Sequence, residues 1–124
     1  MKKRILLIED NEQNRYLVTF LLQASGWEVV HAPDGPAGLA LAAESEPSLI
    51  LLDIDLPGMD GYAVARALRA DPKLGPVPVV AVTSYAMSGD RERCLEAGCN
   101  GYLEKPIDPQ LFAAQVEAFL LESP

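Results

Sequence analysis

The sequence predicts a doubly wound α/β domain built from five strand-helix units, and three observations carry the prediction. Residues 5–8, 49–52 and 77–82, the last broken by Pro78, are apolar at consecutive positions. Strands covered on both faces read this way, which implies a parallel sheet with helices above and below it. Helical patterns alternate with these runs along the whole chain, and the 124 residues suffice for one hydrophobic core.

The elements follow in order. Strand one is 5–8 and helix one is 12–24, closed by Gly26. Residues 27–31 (Trp-Glu-Val-Val-His) form a weaker second strand and 35–44 a second helix. Strand three is 49–52 and helix three 62–70. Strand four is 77–82 and helix four 88–97, closed by Gly98. Residues 100–104 form strand five. Asp108-Pro109 reads as an N-cap followed by proline at the first helical position, opening helix five at 109–121. Linkers, repeats and low-complexity tracts are absent from the sequence.

Ten Lys and Arg stand against eighteen Asp and Glu, a formal charge of −8. The one basic cluster, Lys2-Lys3-Arg4, abuts a strand and is read as keeping the terminus soluble, so the excess of acid argues against direct nucleic-acid binding as the main role. Apolar runs are too short for a membrane span of roughly 20 residues or for a signal-peptide core, which places the chain in the cytoplasm. Cys94 and Cys99, spaced C-x4-C with no second pair or nearby His, are expected to be structural free thiols.

Ligands of doubly wound sheets bind beyond the carboxyl ends of the strands. In the flavodoxin-like order 2-1-3-4-5, strands one, three, four and five bring Glu9-Asp10, Asp53, Thr83-Ser84 and Lys105 toward one crevice. Two like charges about 4 Å apart repel by about 4 kcal/mol at an effective dielectric near 20. Three carboxylates with one lysine therefore call for a cation, and hard oxygen ligands suit Mg2+ or Mn2+. The same set suits phosphoryl transfer onto an aspartate, with Asp53 as nucleophile and metal and Lys105 neutralising the transferring oxygens.

These residues resemble the receiver domains of two-component response regulators across essentially the whole chain. The matching motifs are Glu9-Asp10, the block Leu52-Asp53-Ile54-Asp55-Leu56-Pro57-Gly58-Met59-Asp60-Gly61, Val82-Thr83-Ser84, and Gly101-Tyr102-Leu103-Glu104-Lys105-Pro106. The resemblance implies that Asp53 accepts a phosphoryl group from a histidine of a sensor kinase or of a histidine phosphotransfer protein. It implies a metal held by the side chains of Asp10 and Asp53 and the backbone carbonyl of Asp55, with Glu9 acting through water. Thr83 and Lys105 match the groups that bind the phosphoryl oxygens. Tyr102 matches an aromatic that changes rotamer on activation and alters the face made by helix four, strand five and helix five. A cis Lys105–Pro106 bond is also implied. The resemblance implies that Asp55 and Tyr85 occupy positions that tune water access to the aspartyl phosphate, Asp55 being equally readable as a solvated rim acid, and that Ser84 is small to admit the phosphoryl group.

Apolar residues of helix one cover an arc of about 200°, about twice what one core-facing stripe needs. Part of that arc is expected to remain exposed: Val18, Leu21 and Leu22 make the core stripe, leaving Leu17, Phe20 and Ala24 beside the acidic pocket. Leu17 and Phe20 are assigned to docking on a kinase or phosphotransfer helical bundle. His31, Trp27 and Tyr16 are read as structural or packing residues.

Asp53-Ile54-Asp55 is also the D-x-D of haloacid-dehalogenase-type phosphatases, but Pro57 departs from that motif and such enzymes are larger. An interaction module that no longer takes phosphate is the other alternative. The expected organisation is one receiver over 1–124 with no output domain, passing its signal to a downstream protein target. The blocks at 10–15 and 85–87 look most like stand-alone bacterial cell-cycle receivers and those attached to hybrid kinases.

Overall fold

The computed structural model describes residues 3–56, 60–83 and 90–122. Its elements are β1 (Arg4–Ile8), α1 (Glu12–Ala24), β2 (Glu28–Ala32), α2 (Gly35–Ser45), β3 (Leu49–Asp53), α3 (Gly61–Ala70), β4 (Val79–Thr83), α4 (Asp90–Glu96), β5 (Gly101–Glu104) and α5 (Phe112–Glu122), with a 3₁₀ turn at Pro72–Leu74. The strands pair in parallel in the order β2-β1-β3-β4-β5, as the continuous apolar runs imply.

Sheet position explains the burial of each strand. β3 and β4, flanked on both sides, are buried at every residue, whereas the edge strands β2 and β5 are mostly half-buried. Alternate residues feed two cores. Ile5, Leu7, Leu49, Leu51, Val80 and Val82 meet Val18 and Leu22 of α1 and Phe112 and Val116 of α5 on one face. On the other, Leu6, Ile8, Ile50, Leu52 and Ala81 meet Ala42 of α2, Val64, Ala65 and Leu68 of α3, and Cys94 of α4.

Helix termini follow local chemistry. Asn11, Asp34 and Asp60 cap α1, α2 and α3 by accepting the backbone N–H of Asn14, Ala37 and Tyr62. Beyond α4, Gly98 has φ +101°, and Cys99 N–H bonds Cys94 C=O while Gly98 N–H bonds Leu95 C=O. This is the paired closure of a Schellman motif, whose apolar contact joins the residues at the Cys94 and Cys99 positions. The C-x4-C spacing is thus the spacing of that cap. Neither cysteine is in a disulfide and both are buried, and burial first, then Cys94, pushes the Cys99 thiol up to about 12.

Three expectations shift. β4 begins at Val79 rather than 77, because Pro78 has no N–H for the ladder, though its carbonyl still accepts from Ile50. Asp108 does cap a turn, its side chain accepting Gln110 N–H, but regular α5 starts at Phe112 rather than at 109. Tyr16, expected to pack, is 74% exposed. It lies about 200° around α1 from Val18, which faces the core. Trp27, by contrast, is 3% exposed inside the core. The expected start of helix four at 88 lies outside the described residues.

Candidate functional site

The strand register assembles the site. Asp53 ends β3 opposite Val82, Thr83 ends β4 opposite Glu104, and Glu9 directly follows β1, its N–H bonded to Ala32 C=O of β2 (3.1 Å). Lys105 follows β5, and its N–H bonds Thr83 C=O (2.9 Å), joining the two predicted phosphoryl-binding residues through the backbone. The Lys105–Pro106 bond is cis, as the resemblance implies. Gly61 lets α3 start against the loop behind Asp53: a Cβ there would stand 2.6 Å from Ile54 Cα.

Glu9, Asp53 and Thr83 are the polar residues buried among the described ones, while Asp10 is exposed. Single carboxylate oxygens of Glu9, Asp10 and Asp53 all lie within 4.8 Å of one another. Lys105 Nζ is 3.1 Å from Asp53 Oδ1 and 3.8 Å from Asp55 Oδ2. Asp55 also donates its backbone N–H to Asp53 Oδ1 (2.8 Å), and Asn11 donates its N–H to Glu9 Oε2 (3.2 Å).

The charge imbalance shifts the ionisation of Glu9 and Lys105. Burial, then a hydrogen bond to and the charge of Asp53, push the Glu9 carboxyl up to about 8; Asn11 N–H and Lys105 oppose this only in part. Burial works against the Lys105 ammonium, but the charge and hydrogen bond of Asp53, with Glu9 and Asp55, outweigh it and leave the group above its ordinary value. At neutral pH the cluster therefore keeps a proton that a divalent cation would displace. All the donors are hard oxygens, the set for Mg2+ or Mn2+.

Other predicted residues sit around this centre. Tyr102 is half-buried on β5 and lines a cavity of about 230 Å³ with Leu95, Asn100, Gly101 and Phe119. Leu17 is half-buried and shares a depression with Asn14, Lys105, Pro106 and Ile107. Phe20 is 61% exposed in a separate groove with Tyr16, Arg15 and Thr19. Ser84 and Tyr85 lie outside the described residues. His31 does more than pack: its Nε2 is 2.8 Å from Glu9 O and its Nδ1 is 3.4 Å from Arg15 Nη1. Its position at the end of a strand predicted beside β1 was the available signal.

No helix among the described residues is long and apolar enough to cross a membrane. The family model for the response regulator receiver domain matches residues 5–117. The chain is 42% identical over 120 residues to the polar-differentiation response regulator DivK of Brucella anthropi, covering 97% of this chain and 98% of that one. The receiver domain of sensor histidine kinase PA1611 from Pseudomonas aeruginosa PAO1, solved with magnesium coordinated in its active-site cleft, is 35% identical. It superposes with TM-score 0.88, covering 97% of this chain and 98% of that one. Vibrio cholerae CheY4 superposes with TM-score 0.91 at 25% identity, over 96% and 99% of the two chains. Two-component phosphorelay signalling is the work of such domains, and this chain belongs to the response regulator receiver domain family.

Proposed function

We propose that Asp53 is the phosphoacceptor of a signalling domain, taking its phosphoryl group from a phosphohistidine of a sensor kinase or histidine phosphotransfer protein. A carboxylate oxygen of Asp53 forms the new P–O bond as the P–N bond breaks and the imidazole of the donor leaves. The observation that carries this reading is the Lys105 ammonium 3.1 Å from Asp53 Oδ1, inside a cluster otherwise made of carboxylates. Asp10, Asp53 and the Asp55 carbonyl, with Glu9 through water, would hold Mg2+ or Mn2+, which supplies charge neutralisation for the transferring oxygens. Lys105 adds a second positive charge, and Thr83 supplies a hydroxyl to the phosphorylated state.

The aspartyl phosphate adds three acceptor oxygens where Lys105 and Thr83 converge. Thr83 moves toward them, and Tyr102 turns inward. The face of α4, β5 and α5 changes with it, and a downstream protein reads the change. Docking of the phosphodonor falls to Leu17, which shares its depression with Lys105, and to Phe20 on the neighbouring groove. The domain works as a cytoplasmic regulator of the DivK kind, with Asp55 beside Lys105 tuning the lifetime of the phosphate.

Incubation with acetyl phosphate and Mg2+ tests the reading. One acid-labile phosphate per chain is expected, and none in Asp53→Asn. Continuous turnover of a small phosphate ester would instead assign the chain to the haloacid-dehalogenase-type phosphatases. Labelling that persists in Asp53→Asn would move the acceptor elsewhere.

A further inference from the structure

We infer that His31 is a positioning residue for the cation site, acting on the peptide that joins Glu9 to Asp10. The inference rests on the metal reading above and concerns a residue outside the carboxylate cluster. β1 ends at Ile8, opposite Ala32, and beyond that point the ladder supplies one last bond, Glu9 N–H to Ala32 C=O at 3.1 Å. The Glu9 carbonyl, pointing onward, is held by the His31 ring, with Nε2 at 2.8 Å. The Glu9 side chain is held in turn, Oε2 accepting Asn11 N–H at 3.2 Å.

The ring's hydrogen follows from its partners. A carbonyl only accepts, so Nε2 carries the hydrogen; a guanidinium only donates, so Nδ1 presents its lone pair to Arg15 Nη1 at 3.4 Å. Arg15 belongs to α1, and its Nη2 lies 3.8 Å from Glu12 Oε1. The imidazole therefore spans from β2 to the first turn of α1, with the acidic loop between them. Because the peptide unit is planar, fixing the Glu9 carbonyl also fixes the direction in which the Asp10 N–Cα bond leaves. One ring thus sets the relative orientation of two adjacent acids, of which Asp10 is exposed and has no ladder partner of its own. Groups that orient metal ligands without touching the metal typically change affinity by about 10 to 100-fold.

Calorimetric titration with Mg2+ alone tests the role on wild type, His31→Phe and His31→Gln. The phenylalanine keeps a planar ring and removes the donor; the glutamine restores an N–H. We expect His31→Phe to bind Mg2+ about tenfold more weakly and His31→Gln to recover part of the loss, with urea midpoints in the absence of Mg2+ close to wild type. His31 is the one histidine of the sequence, so 15N-histidine labelling reads it directly in the unmodified protein. An Nε2–H tautomer whose resonances move on adding Mg2+ is expected. Equal Mg2+ affinity in wild type and His31→Phe, or a ring carrying its hydrogen on Nδ1, would overturn the positioning role. Wild-type protein that takes up no Mg2+ would overturn the metal reading itself.

Discussion

Glu9 offers the sharpest quantitative test of the site. Its carboxyl is pushed up to about 8, against an ordinary 4.5, by burial and then by Asp53. Because the folded value lies above the unfolded one, the cation-free fold holds this proton more tightly than the unfolded chain does. The associated stability is complete below about pH 4.5, declines as pH rises, and is gone above about pH 8. At about 1.4 kcal/mol per unit, the displacement sets a ceiling of roughly 5 kcal/mol on that loss. A cation must displace the same proton, so apparent Mg2+ affinity runs the other way and rises about 50-fold between pH 6 and pH 8. Calorimetry in two buffers of different ionisation enthalpy measures both quantities. About one proton should be released per Mg2+ at pH 6 and about half of one at pH 8. Glu9→Gln should abolish both the pH dependence and the release. An Mg2+ affinity that is flat from pH 6 to 8 in wild type, or a slope that survives in Glu9→Gln, would refute the placement of the shared proton on Glu9.

Three further outcomes follow from other parts of the molecule. Arg69 on α3 donates to the carbonyls of Gly98, Gly75 and Val77 and to Asn100 Oδ1 at 2.5 to 2.8 Å, so Arg69→Met should cost about 2 to 4 kcal/mol in urea unfolding, with Arg69→Lys recovering part. Phe20→Ala removes a side chain that is 61% exposed, so it should leave stability within about 0.5 kcal/mol and labelling by acetyl phosphate unchanged while slowing transfer from the cognate phosphodonor; slowing of both would mark a folding defect. Tyr102→Ala should leave phosphorylation of Asp53 intact and abolish the phosphorylation dependence of partner capture, and unchanged partner binding would remove Tyr102 from the switch.

The parallel sheet was readable because burial on both faces forces β1, β3 and β4 to be apolar at consecutive positions, a pattern that no surface element shares. Strand order then placed Glu9, Asp10, Asp53, Thr83 and Lys105 together, since each stands where a run of apolar residues stops. Backbone donors were hidden: nothing in Asn11 or Asp55 as residue types announces an N–H aimed at Glu9 or Asp53. The Arg69 clamp was hidden for a similar reason. Most of its acceptors are backbone carbonyls of segments up to 29 residues away, and a backbone carbonyl has no sequence signature. Tyr16 was misread because aromatic character suggests burial, although its angular distance from Val18 on the same helix was already fixed by 3.6-residue periodicity. Leu17 and Phe20 were grouped as one surface, but three positions along a helix is 60° short of a full turn, enough to put them in different depressions.

The two ends of the sheet are fixed unequally, and the proposed switch depends on the difference. At the amino end of β4 and β5, Asn100 Oδ1 accepts from both Val79 N–H and Arg69, and Asn100 N–H bonds Val79 C=O. Arg69 also holds Gly98 C=O just past α4. That end is cross-linked through one guanidinium whose charge is met by carbonyl dipoles, an arrangement favoured at a helix C-terminus. At the carboxyl end the corresponding link is the bond from Lys105 N–H to Thr83 C=O, and around it stand carboxylates that repel one another. Charge added at Asp53 therefore acts where the fold is least compensated. Thr83 and Lys105 are coupled through that backbone bond, and Tyr102 is in register with Ala81, two residues before Thr83, between the phosphoryl end of the proposed switch and the Arg69-anchored end. On the proposed switch, a displacement entering at Asp53 would be expressed as a tilt of the α4–β5 face about its Arg69-anchored end rather than as a translation of the whole face.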